Sequence, residues 1–292
     1  MLDNVPEAKR SLLQRLVEQL RAVDGMAAIA LGGSYASGTQ HETSDLDIGL
    51  YYCEASPFSI AEIRRIAADA SAGGPPTVTS FYDWGPWVNG GAWIHTAQGK
   101  VDFLYRNLDQ IRRTIAEAQQ GLTHHDYDQQ PTYGFYSLIY LAEIQICIPL
   151  YDPQELIAQL KQQVAGYPPK LKERVIADSL WSAEFTLLHA RAFAAQGDIY
   201  NTVGCLTRVA SNLTQALFAL NETYFIRDKQ VMATLAAFPH LPSGYVERVE
   251  RILARPGSAP RALTQAVRDM EQAWHSVLSL PGVHYQPRFV LP

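Results

Sequence analysis

In the stretch LGGSYASGTQHETSDLDIGLYY, residues 31–52, two aspartates one residue apart interrupt an apolar run. Asp45 and Asp47 follow a Gly-Gly-Ser turn by ten residues. Charge in a sheet-forming segment is costly unless something neutralises it. The period of two along a strand sends both carboxylates to one face and leaves Leu46 and Ile48 for the core. Two hard oxygen donors side by side suit Mg2+. Gly32 and Gly33 end the apolar run MAAIAL with a backbone able to turn sharply and come close to a ligand. Ser34 then offers a hydroxyl and an amide at a helix start, an arrangement that suits phosphate. A third acid, Asp102, sits between Val101 and Phe103 in GKVDFLYR, again acidic on one face and apolar on the other. Three acids from two strands suffice for two divalent ions. One ion would lower the pKa of an attacking hydroxyl, and the other would neutralise a triphosphate and its departing pyrophosphate. That is phosphoryl-transfer chemistry.

The elements that must position these groups are legible in the hydrophobic period. Leu12, Leu13, Leu16, Val17 and Leu20 mark a helix face. MAAIAL, LDIGLYY, PTVTSFY, AWIHTA and KVDFLYR read as strands around one helix, SIAEIRRIAADA. After residue 130 strand signals vanish, and segments 132–149, 153–166, 170–197, 200–224, 243–256 and 260–279 show helical spacing, punctuated by YPP, QGD, LPSG and RPGS. The expected fold class is α+β: a small mixed-sheet domain over residues 1–129, followed by an all-α helical-bundle domain over 130–292.

Composition bounds the partners. A 292-residue chain with 47% hydrophobic and 18% charged residues has the makeup of a folded protein of one or two domains. Its net charge of -5 argues against a protein that coats nucleic acid, which wants a basic surface. The acidity sits with the aspartate pair: residues 1–129 hold 10 Lys+Arg against 16 Asp+Glu, and the remainder holds 14 against 13. Cys53, Cys147 and Cys205 are odd in number and far apart in apolar segments, which fits buried thiols in a reducing compartment. The N-terminus reads as an amphipathic helix, and the longest apolar stretch is broken by Glu143 and Gln145. The expectation is a cytoplasmic protein with no membrane partner.

GGS, ten residues, then DLD, with VDF on a later strand, resembles the signature of the DNA polymerase β-like nucleotidyltransferase superfamily. The likeness covers residues 25–107. It implies that Gly33 and Ser34 hold the β/γ-phosphates of a nucleoside triphosphate and that Asp45, Asp47 and Asp102 hold two Mg2+ ions. PLYDPQELIAQL and LPSGYVERVERIL in the helical half resemble the second domain of kanamycin nucleotidyltransferase and its relatives. That resemblance implies transfer of a nucleoside monophosphate, from ATP first among the triphosphates, to a hydroxyl of a small-molecule acceptor. It also implies antibiotic modification, although the near-neutral helical half is not the acidic surface that a polycationic aminoglycoside favours. A homodimer stays open. In kanamycin-type enzymes a glutamate of the second domain faces the metals, and Glu184, among Trp181, Phe185 and Leu188 on a largely apolar helix, is the best candidate for such a base, or else a glutamate at the helix surface. Glu143 and Asp178 are its rivals.

Other residues carry weaker readings. Ser44 is a candidate nucleotide contact or a loop end, and Gly38 a contact or a turn. Tyr105 and Arg106 either reach nucleotide or finish a strand. His124 and His125 have no third ligand at metal-type spacing. Two rival functions stand beside transfer. Arg268 and His275 have the spacing used by small helical ribonucleases that accompany nucleotidyltransferases, the toxin–antitoxin-type alternative. A silent site would make the chain a nucleotide-sensing or partner-binding module.

Overall fold

The computed structural model describes residues 2–289. The chain divides into two compact units, residues 1–116 with 124–166, and residues 117–123 with 167–292. The expected division at 129/130 thus differs from the observed one, because residues 130–166 fold with the sheet.

In the first unit, helix α1 (Glu7–Leu20) precedes β1 (Ala28–Leu31), the short α2 (Gly33–Ser37) and β2 (Leu46–Tyr52). Then come α3 (Ile60–Ala70), β3 (Thr77–Val78), β4 (Gly91–Thr96), β5 (Gly99–Asn107) and α4 (Leu108–Gln119), which runs into the second unit. The unit is completed by β6 (His125–Asp126), β7 (Phe135–Tyr136), α5 (Leu138–Ile146), β8 (Ile148–Tyr151) and α6 (Leu156–Gln163). One six-stranded sheet has the order β3-β4-β5-β2-β1-β8. Only β2 and β5 run parallel, and the β2-to-β5 connection through α3, β3 and β4 supplies the long crossover that parallel pairing needs.

The amphipathic reading of α1 holds: Leu12, Leu13, Leu16 and Leu20 are buried beneath the sheet with Ile63 and Ile66 of α3. Ser59 starts α3 by accepting a hydrogen bond from the Glu62 amide, a helix start of the Ser-x-x-Glu type. Leu46, Ile48 and Leu50 of β2 and Val101, Phe103 and Tyr105 of β5 join the same core. The alternate positions of both strands face the other way.

Two sequence expectations are corrected here. PTVTSFY yields only the two-residue β3 before a loop, where Ser80 donates its amide to Asp83 and Tyr82 adopts a φ of 64°. Segment 132–149 is not one helix. Its helix stops at Ile146, and Ile148–Tyr151, which begins within the segment and runs past it, adds to β1 as an antiparallel edge strand, where Pro149 is tolerated because one side of the strand needs no ladder donor.

The second unit is helical: α7 (Pro169–Gln196), α8 (Ile199–Leu220), α9 (Val231–Ala236), α10 (Tyr245–Ala254) and α11 (Pro260–Leu278). Gly197, at a φ of 75°, ends α7 in the left-handed conformation that glycine tolerates, and Asp198 caps α8 through the Asn201 amide. The two helices therefore fold back on each other, with α11 against both. Among the described residues no helix is long and apolar enough to cross a membrane.

Candidate active site

The site is built on the sheet face opposite α1 and α3. Parallel pairing sets Asp47 of β2 directly beside Asp102 of β5. Asp45 lies two residues before Asp47, just ahead of the strand. All three side chains are half-buried. Their proximity shows in the titration of Asp102, which is pushed up to about 6 by burial first, then by the charge of Asp47, then by that of Asp45. Lys100 pulls the other way and is the smallest of the four influences. The sheet thus concentrates negative charge around Asp102.

The turn after β1 is fastened to the same strand. The Gly32 amide donates to the Asp47 carbonyl at 2.8 Å. Gly33 has a φ of 59°, and a Cβ built on it would lie 1.7 Å from Oδ2 of Asp47. Glycine is required there twice over: for the left-handed backbone, and because the Asp47 carboxylate occupies the place of a side chain. Ser34 follows in the first turn of α2, half-buried, next to that carboxylate contact. Gly38, at a φ of 72°, ends α2 with open space around it, so it shapes the turn.

Beyond the carboxylates the same face carries Gly49, Tyr51, Leu104 and Arg106, covered by α5. Arg106 is buried, and its Nε and Nη2 donate to both oxygens of Glu143 at 2.7 and 2.8 Å, while Nη1 donates to the Tyr105 carbonyl at 2.9 Å. This bidentate pair fastens α5 to the sheet. A cavity of about 40 Å3 remains between Gly33, Gly49, Arg106 and Glu143, room for water and little else.

Several expected site residues have other partners. Ser44 is buried, and its hydroxyl accepts from the His41 amide at 2.9 Å, closing the turn before Asp45. Tyr105 is a core residue against Phe58 and Phe81, and Arg106 belongs to Glu143, so neither reaches toward nucleotide. His125 stacks on Tyr136 and meets the Tyr133 carbonyl at 2.6 Å. Glu184 is completely buried in the helical unit. It accepts from the Tyr285 hydroxyl at 2.5 Å, the Arg288 amide at 2.8 Å and the Phe289 amide at 2.7 Å. Those bonds hold the chain after α11 against α7 and leave no oxygen turned to a substrate. Of its rivals, Glu143 is paired with Arg106, and Asp178 with Arg174 at 2.6 Å.

One residue escaped the sequence reading. Lys9 of α1 donates to the Ser44 carbonyl at 2.5 Å and to the Tyr35 hydroxyl at 3.1 Å, with its ammonium 5.3 Å from the Tyr35 ring centre. It ties the turn before Asp45 to α2 from the opposite side of the sheet. Nothing in α1 marks it apart from the other polar positions of an amphipathic helix.

Comparison with known proteins bears on the segment that carries this turn and the first two acids. Residues 12–73 match the nucleotidyltransferase domain. The match supports nucleotidyl transfer as the general activity, and the matched span takes in Gly33, Ser34, Asp45 and Asp47 but not Asp102. Residues 139–229 match a domain of unknown function, DUF4037. A solved nucleotidyltransferase-like protein from Exiguobacterium sibiricum 255-15 is similar over 92% of this chain and 75% of its own, at 9% identity and a TM-score of 0.47. No curated protein matches the chain.

Asp45, Asp47 and Asp102 fit a divalent cation in donor chemistry: oxygen donors only, two of them in register on adjacent strands, with the charges of Asp47 and Asp45 both felt at Asp102. Among the described residues, no group of three or more His, Cys, Asp or Glu side chains is arranged so that it could hold a metal ion as it stands.

Proposed function

We propose that this protein transfers a nucleoside monophosphate from a nucleoside triphosphate, ATP first among them, to a hydroxyl of a small-molecule acceptor, with release of pyrophosphate. The observation that carries the reading is the pairing of Asp47 with Asp102 on adjacent parallel strands, with Gly33 packed against the Asp47 carboxylate. Asp45, Asp47 and Asp102 would hold Mg2+, which supplies charge neutralisation for the phosphates and acidifies a hydroxyl bound to it. Gly33 keeps the turn close enough for backbone amides to meet phosphate oxygen, and Ser34 presents its hydroxyl beside them. Lys9 and Ser44 hold the turn that carries Asp45. No protein base is assigned, since Glu184, Glu143 and Asp178 are all engaged elsewhere.

The test is incubation of the pure protein with Mg2+, each labelled triphosphate and a panel of hydroxyl acceptors, aminoglycosides included. Pyrophosphate release that requires an acceptor is expected, and Asp47→Asn should abolish it with the fold intact. Mg2+ and triphosphate together should raise the melting temperature more than either alone, and the same variant should remove that synergy. Triphosphate binding without pyrophosphate release for any acceptor would sink the transferase and favour a nucleotide sensor.

A further inference from the structure

The α7–α8 hairpin carries a feature that the nucleotidyl-transfer reading does not use. A groove of about 730 Å3 runs between the two helices, within the range of about 300–1,000 Å3 seen for small-molecule sites. Its α7 wall is a row of rings at four-residue spacing: Phe185 and His189 have centres 4.8 Å apart, and His189 and Phe193 6.4 Å. Its α8 wall is Asn201, Gly204, Cys205 and Arg208. Counted from the Gly197 turn, Phe193 lies level with Asn201 and His189 with Cys205, and Phe185 falls within one residue of Arg208.

The patch is unusually apolar for a surface. Phe185 and neighbouring Trp181 are each 38% exposed, and on the α8 side Ile199 is 45% and Tyr200 87% exposed. Contiguous apolar surface of this kind marks a binding site.

Gly204 points the same way independently. It is the sixth residue of the 22-residue α8, and a Cβ built on it would meet no heavy atom within 4 Å. Its backbone is not left-handed, so neither φ nor packing demands glycine. Glycine inside a helix is destabilising relative to alanine. What the missing side chain does provide is an open groove floor. Arg208, one turn further along α8, is the only permanently charged side chain that lines the groove among the described residues, where no Asp or Glu contributes.

We propose that this groove binds a flat aromatic carboxylate, its ring over Gly204 against Phe185 and His189 and its carboxylate on Arg208. Guanidinium and carboxylate match as forked donors and paired acceptors, and the ring replaces water on an aromatic wall. The lone cation selects an anion over a neutral or cationic ring.

The full-length protein is titrated with 2-naphthoate and, separately, with 2-naphthylmethanol, a neutral molecule of the same shape, by calorimetry and by the Gly204 amide resonance. Saturable one-to-one binding of the acid is expected, with the Gly204 signal shifting. Gly204→Leu should weaken it at least about tenfold while its melting temperature is no lower than that of the wild type, since the position is open and leucine is the better helix former, which shows that the loss is not unfolding. Arg208→Gln should reduce the acid to the affinity of the alcohol and leave the alcohol unchanged. Equal binding of acid and alcohol by the wild type, equal binding by wild type and Gly204→Leu, or no binding of the acid would each overturn the assignment. A wild-type dimer that Gly204→Leu splits, with no naphthoate bound, would give the groove to a second copy of the chain and overturn it as well.

Discussion

The contact between Gly33 and Asp47 allows a quantitative test of how the phosphate turn and the carboxylates depend on each other. Gly33→Ala imposes two penalties. The backbone φ of 59° is left-handed, which costs an L-residue about 1–2 kcal/mol. The new methyl would also sit 1.7 Å from Oδ2 and 3.1 Å from Cβ of Asp47, so the carboxylate must swing off its preferred rotamer at a further 0.5–1.5 kcal/mol, roughly. The sum is about 2.5 kcal/mol, or a fall of about 5–10 °C in melting temperature for a unit of this size. In an Asp47→Ala background the carboxylate is gone and only the backbone penalty remains, so the same substitution should cost about 1.5 kcal/mol. Urea unfolding of the four proteins of the cycle reads the difference, a coupling of about 1 kcal/mol. Additivity to within about 0.3–0.5 kcal/mol would refute the reasoning, because sites that share no contact behave that way.

Asp102 titrates near 6 in the folded chain against an ordinary 3.8, so the native state binds its proton more tightly than the unfolded state does. Its contribution to stability is therefore full below the unfolded value and is lost as pH rises from about 4 to about 6; Asp102→Asn should flatten that slope in pH-dependent thermal melts. Asp47→Asn should move the Asp102 carboxyl resonance to a lower titration midpoint, since one of its two carboxylate neighbours is removed. Glu184→Gln leaves one hydrogen bond acceptor short among the Tyr285, Arg288 and Phe289 donors. It should lower stability by about 1–3 kcal/mol in chemical unfolding, whereas an unchanged stability with a transfer rate cut by about 10²-fold would restore the residue as a base. Glu143→Gln should cost about 3 kcal/mol by leaving the buried Arg106 guanidinium without its counter-charge, measured in the same way, and Arg106→Met should be milder because the Glu143 side chain it strands is 26% exposed and can reach water.

What the sequence determined by itself is whatever depends on local period and local chemistry. Alternation in LDIGLYY and VDFLYR was enough to put Asp45, Asp47 and Asp102 on the face away from Leu46, Ile48 and Phe103, because a strand allows its side chains only two directions. The heptad-like leucines of α1, the Ser59 start of α3 and the Gly197–Asp198 break between α7 and α8 were legible for the same reason. Tertiary structure decided everything that depends on which distant segment arrives alongside. The parallel register that sets Asp47 beside Asp102 is a property of the pairing, as is the collision that makes Gly33 indispensable. Ile148–Tyr151 carries no strong strand signal and becomes a strand because β1 offers an unpaired edge. Glu184 has the local setting of a base, a carboxylate on an apolar helix, yet its partners lie about a hundred residues later in the chain. A buried carboxylate must be satisfied by some donor, and which donor does so is settled only when the chain has folded.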